Sequence, residues 1–130
     1  LQLLPGGSSP MSATDYTEAI FEAVSGPDEA LIPTLWAYEV RNIVLKGIRR
    51  GRVAPVVARP LLTALSQLRL RPVETRFDST LDTAMRFSLS FYDAAYLDLA
   101  IRESLSLASL DKGLREAARL AGVPLYGEDS

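Results

Sequence analysis

Three carboxylates in this chain stand where a freely solvated acid is not expected. Asp93 lies inside the apolar stretch Ser90-Phe-Tyr-Asp-Ala-Ala-Tyr-Leu-Asp-Leu-Ala100. Asp111 ends the apolar run Leu105-Ser-Leu-Ala-Ser-Leu110. Glu39 sits between Tyr38 and Val40, at the start of a helical pattern. Each has a plain explanation. Ser90 and Asp93 have capping-box spacing, so Asp93 can serve only backbone donors and the helix dipole. Asp111 is a natural N-cap, and Glu39 suits a helix start. Taken together they say more, because each begins a helix that follows a strand. Such positions gather at the carboxyl edge of a parallel sheet, where ligands bind. Two like charges about 5 Å apart repel by roughly 3 kcal/mol at an effective dielectric near 20. Three acids crowded at one rim must shift their pKa values or share a cation. Asn42, one turn beyond Glu39, shares its side of the helix.

Composition narrows the chemistry. The 130 residues contain no cysteine and no histidine. Disulfides, thiolate sites, cysteine nucleophiles and every histidine-based mechanism are therefore excluded. Any metal must be held by oxygen, which favours Mg²⁺, Mn²⁺ or Ca²⁺. A net charge of -2 gives no global attraction to nucleic acid or anionic membrane. No apolar run approaches membrane-spanning length, and the start shows no secretory pattern, so a cytoplasmic protein is expected.

The elements that must position these acids follow from periodicity. Residues 1–11 read as an irregular or remnant N-terminus, and residues 1–130 as one domain. Ser12 caps a helix carrying Tyr16, Ile20, Phe21 and Val24, and Gly26-Pro27 stops it. Ala30 to Ile32 is a short strand. Leu35 to Arg50 is a helix with Trp36, Val40, Ile43, Val44 and Ile48 as its apolar stripe. A second helix runs from about Pro55 to Leu68. Arg69 to Thr75 is an edge strand, because Pro72 cannot donate to a central ladder. Ser79 to Phe87 is helical, capped by Asp78 or Ser79. Further helices run from Ser90 to about Ser104 and from Asp111 to Leu120. Leu105 to Leu110 and Val123 to Tyr126 are strands. Short apolar strands separated by helices predict an α/β fold, a parallel sheet with helices on both faces.

Ile32-Pro-Thr-Leu-Trp-Ala-Tyr-Glu-Val-Arg-Asn42, Arg49-Arg-Gly-Arg52, the Tyr-Asp-Ala-Ala-Tyr segment around Asp93, and Leu107-Ala-Ser-Leu-Asp-Lys112 occur in a familiar order. From about residue 12 to residue 126 the chain resembles PIN-domain proteins, and among them the VapC toxins of toxin–antitoxin pairs. The resemblance implies a Mg²⁺- or Mn²⁺-dependent endoribonuclease with Glu39, Asp93 and Asp111 as catalytic, metal-holding acids. It implies supporting roles for Asn42 and Ser109, an RNA substrate, a cognate antitoxin and a homodimer. Family members begin with an apolar strand ending in Asp, normally the centre of the sheet. This sequence shows no such strand: no Asp precedes Asp15, which falls in a helix. The expectation is a sheet without its central strand, with open edges on two neighbours. An upstream segment, the remnant Leu1 to Leu4, or a partner chain are the alternatives for that place.

Arg41, Lys46, Arg49, Arg50 and Arg52 form a basic side to the first well-defined helix and its end. They read as a solvated face, as a guide for an RNA backbone, or as the contact for an acidic antitoxin segment. Two functions remain in competition with the ribonuclease. One is a degenerate, non-catalytic domain that acts through antitoxin or dimer binding. The other, a phosphoacceptor domain, lacks its acidic pair after a first strand and ranks last.

Overall fold

The structure is a computed structural model that describes residues 30–109 and 111–127. The helix expected from Ser12, the apolar tetrad Leu1 to Leu4 and Leu110 lie outside the described residues. The described elements run β1 (Ala30–Pro33), α1 (Trp36–Arg49), α2 (Pro55–Ser66), β2 (Leu70–Val73), α3 (Phe77–Phe87), α4 (Phe91–Glu103) and α5 (Lys112–Leu120).

β1 and β2 pair in parallel, with Ala30 opposite Leu70 and Ile32 opposite Pro72. Proline brings no N–H to a ladder, so it suits a strand with one neighbour. Among the described residues β2 pairs with β1 alone. The strands expected over Leu105 to Leu110 and Val123 to Tyr126 contract to one parallel bridge between Leu107 and Leu125. There the Leu107 N–H donates to the Pro124 carbonyl at 2.8 Å, and the Leu107 carbonyl accepts from the Tyr126 N–H at 2.8 Å. Parallel pairing among the described residues therefore falls into two separate sets.

The core is built around α4. Every residue from Ala94 to Ala100 is buried, as expected of a helix enclosed on all sides. Tyr96 and Leu97 join Ile32 of β1, Trp36 and Val40 of α1, Leu107, and Leu114 and Ala118 of α5 in one apolar cluster. Each large side chain buried there contributes about 1.5–3 kcal/mol. Trp36, Val40 and Val44, four residues apart, are the buried face of α1. Ile43, expected in that stripe, is 39% exposed because it flanks the face rather than centring it.

Local signals set most helix ends. Ser90 caps α4 by accepting from the Asp93 N–H at 3.1 Å, and Asp111 caps α5 by accepting from the Leu114 N–H at 2.8 Å. α4 ends on Ser104 in the left-handed region, with φ 54°, a conformation usually left to glycine. α3 departs from expectation. It starts at Phe77, its N-cap is Arg76, and no side chain caps it. The Ser79 hydroxyl instead donates to Asp98 of α4.

That contact belongs to a buried polar cluster. Asp98 is 3% exposed, yet it is fully served. Its Oδ2 accepts from Ser79 Oγ at 2.8 Å, Thr80 Oγ1 at 3.3 Å and Arg102 Nε at 3.1 Å. Its Oδ1 accepts from Thr83 Oγ1 at 3.0 Å. Burial of a lone carboxylate is prohibitive, and pairing with hydrogen-bond donors offsets it. The cluster bolts α3 to α4.

Candidate functional site

Glu39 rises from the first turn of α1, and Asp93 from the first turn of α4. Both are half-buried. Packing of Trp36 and Val40 against Tyr96 and Leu97 brings the two helix starts together. Burial pushes the Glu39 carboxyl above the usual range, and the Asp93 charge pushes it further; a hydrogen bond from Tyr96 opposes both. Tyr96 is 2% exposed. Burial raises its own pKa, and the Glu39 and Asp93 charges add to that. The phenol therefore stays protonated and acts as a fixed donor beneath the acids.

One oxygen of Glu39 is left over. Glu39 Oε1 is buried and has no hydrogen-bond partner among the described residues. A carboxylate oxygen removed from water, unpartnered, in a side chain that feels a second negative charge is electrostatically unfavourable by itself. A divalent cation with a preference for oxygen would resolve that conflict. A buried, unpartnered oxygen beside a second acid is the kind of donor such an ion takes, while among the described residues no group of three acids is formed to hold one.

Asp111 is not brought into this pair. Its Oδ2 is engaged by the Leu114 N–H, and among the described residues no three acids are grouped closely enough to hold one ion. Sequence position placed all three acids at helix starts on one rim; side-chain direction joins only two. Ser109, completely buried, accepts from the Asp111 N–H at 3.0 Å. Its carbonyl accepts from Arg115 Nη1 at 2.8 Å. It orders the turn that carries Asp111.

Glu39 and Asn42 open into a cleft of about 600 Å³, lined also by Leu35, Tyr38 and Tyr92. A second hollow of about 530 Å³ continues it past Tyr38 and Tyr92 to Glu74, Thr75, Phe77 and Phe91. Asn42 is thus where its spacing from Glu39 predicts. Arg41, also exposed, turns its Nη1 back to the Ala37 carbonyl at 2.8 Å. Arg49, Arg50 and Arg52 are exposed at the far end of α1. Ten residues of helix place Arg49 about 15 Å from Glu39 along the axis. They do not line the cleft.

Sequence reasoning missed the work of Tyr96 and Asp98. Both lie in an almost wholly apolar helix, and a polar group in such a setting is the available signal. It went unread because the contacts that explain it come from α1 and α3.

The arrangement defines a parallel α/β domain with Glu39, which feels the charge of Asp93, in the lining of an open cleft. The family model for the PIN domain matches residues 10–120, and the chain belongs to that family. Its members are generally nucleases and generally depend on divalent metal ions. A crystal structure of PAE2754 from Pyrobaculum aerophilum is similar at 30% sequence identity and a TM-score of 0.56, covering 72% of each chain. No curated protein matches. Among the described residues no helix is long and apolar enough to cross a membrane.

Proposed function

We propose that this protein is a VapC-type endoribonuclease, the toxin of a toxin–antitoxin pair. The observation that carries the reading is the buried, unpartnered Glu39 oxygen beside Asp93 in a PIN-family chain. Glu39 and Asp93 would hold Mg²⁺ or Mn²⁺. The chemistry supplied there would be activation of a water and neutralisation of charge on the scissile phosphate. Tyr96 holds the Glu39 carboxylate in place, and Asn42 offers an amide to a group entering the cleft. Asp111 and Ser109 support the neighbouring turn. Arg41 and the cluster Arg49, Arg50 and Arg52 are assigned to an RNA backbone or an antitoxin, and a homodimer in the cytoplasm follows from the toxin reading.

A second reading is a non-catalytic PIN-like domain that binds antitoxin or a second copy. The grouping of only two acids favours it. One experiment separates the two. Purified chain and its Asp93→Asn variant are incubated with RNA and Mn²⁺, and Mn²⁺ binding is followed by titration calorimetry. Cleavage lost in the variant supports the ribonuclease. Mn²⁺ binding without cleavage supports the second reading, and cleavage unchanged by Asp93→Asn ends the proposed mechanism.

A further inference from the structure

We propose that the cleft next to Glu39 is a stacking shelf for unpaired RNA bases, with Tyr38 and Tyr92 as the rings they stack upon. The inference rests on the nuclease reading and adds the residues that would receive the nucleotides beside the scissile phosphate.

Exposed aromatic rings carry the argument. Tyr38 is 80% exposed, Phe77 71%, Tyr92 65% and Phe91 38%. Single exposed apolar residues are ordinary, but a group of rings converging on one hollow is a recognition surface. These come from three helices. Tyr38 is on α1, Phe77 on α3, and Phe91 and Tyr92 on α4. Phe77 and Phe91 pack against each other with centroids 6.1 Å apart and planes tilted by 40°. They form the far wall. Tyr38 and Tyr92 border both hollows, so they stand between that wall and Glu39.

The charge of the lining selects the occupant. Among the described residues no basic side chain lines either hollow, and Glu39 and Glu74 stand in them. Phosphates are repelled from such a surface unless a cation intervenes, whereas neutral bases are not. Ring faces accept bases of any kind by stacking. Thr34, Thr75 and Asn42 supply hydroxyl and amide groups along the rim for base edges. A strand whose phosphate is held through a cation beside Glu39 would therefore turn its neighbouring bases inward and its backbone outward. Only unpaired nucleotides can do this, because in a duplex the bases are already stacked on each other. An apolar protein segment would also cover the rings, but it gives no reason for the cleft to open onto Glu39.

The test uses intact chain in Ca²⁺, which takes oxygen ligands as Mn²⁺ does, with the RNA checked for cutting, and a fluorescent single-stranded oligoribonucleotide with a hairpin duplex of equal length. Tyr38→Ala and Tyr92→Ala remove solvent-exposed rings and leave the core intact. Each should weaken single-strand binding about 5- to 150-fold, while Tyr38→Phe and Tyr92→Phe retain it. The duplex should bind weakly to all forms. Equal binding of the single strand by the Ala variants and their parent overturns the shelf, as does a duplex bound as tightly as the single strand. So does a dimer that becomes monomeric in the Ala variants with single-strand affinity unchanged, since the rings would then be a subunit contact. Mn²⁺-dependent cleavage by chain with Asp93 intact is measured in parallel. Ring-dependent binding without cleavage ends the nuclease reading and keeps the shelf. Cleavage at the parental rate after loss of both tyrosine rings ends the shelf and keeps the nuclease.

Discussion

Replacing Asp98 by alanine should cost about 3 kcal/mol of folding stability. The carboxylate is the shared acceptor for Ser79, Thr80, Thr83 and Arg102, all between 2.8 and 3.3 Å. Its side chain is 5% exposed, and that of Arg102 is 14% exposed. Breaking a buried ion pair by deleting one member typically costs roughly 3–5 kcal/mol, because the survivor stays charged and desolvated. Arg102 lies in the last turn of α4, where a cation interacts well with the helix dipole and can reach water. The lower end of that range therefore applies to the arginine. Thr80, completely buried, cannot escape, and an unsatisfied buried hydroxyl costs roughly 1–3 kcal/mol. Asp98→Asn should cost less than Asp98→Ala, since one oxygen still accepts and the amide can donate to a rotated Thr83 hydroxyl. The measurement is urea unfolding followed by circular dichroism. With a slope of about 1–3 kcal/mol per molar urea, the midpoint of Asp98→Ala should fall by roughly 1–3 M at unchanged slope. A loss below about 1 kcal/mol would refute the idea that the cluster bolts α3 to α4, and so would Asp98→Asn proving as damaging as Asp98→Ala.

Other consequences can be measured on the same protein. The raised Glu39 pKa means that the folded state binds this proton more tightly than the unfolded state, so the metal-free protein loses stability as pH rises through the folded-state pKa. Glu39→Gln should remove that loss and abolish stabilisation by added Mn²⁺ in thermal melts; a Mn²⁺-induced rise in Tm that survives the substitution contradicts the site. Tyr96→Phe removes the donor that lowers the Glu39 pKa, so the Glu39-dependent loss of stability should move to higher pH; an unshifted profile would show that the hydroxyl does not serve Glu39. Asp111→Ala should cost about 1 kcal/mol through the lost cap of α5 while leaving Mn²⁺ stabilisation largely in place; loss of the Mn²⁺ response would put Asp111 on the ion. Ser104→Gly should stabilise by up to about 1 kcal/mol in chemical denaturation, because φ 54° suits glycine; a destabilised variant would mean that the serine side chain matters more than its backbone.

What sequence alone determined is local or compositional. The spans of α1, α2, α4 and α5 follow from apolar spacing and from turn residues. The caps at Ser90 and Asp111 act on amides three residues on, so their partners are in view along the chain. The absence of histidine and cysteine is a fact of composition and leaves only oxygen donors for a metal. Membership of the PIN family was legible because its motifs are short runs of adjacent residues. Tertiary structure decided everything that depends on which way a side chain points between elements. It joined Glu39 to Asp93 and placed Tyr96 beneath them, but left Asp111 facing its own helix. It moved Ser79 from a helix cap to Asp98, a partner 19 residues away, and so started α3 at Phe77. It gathered rings from three helices into one cleft. The physical reason is range. Caps and periodicity act within one or two turns, whereas a buried carboxylate takes its partners from whichever elements pack beside it.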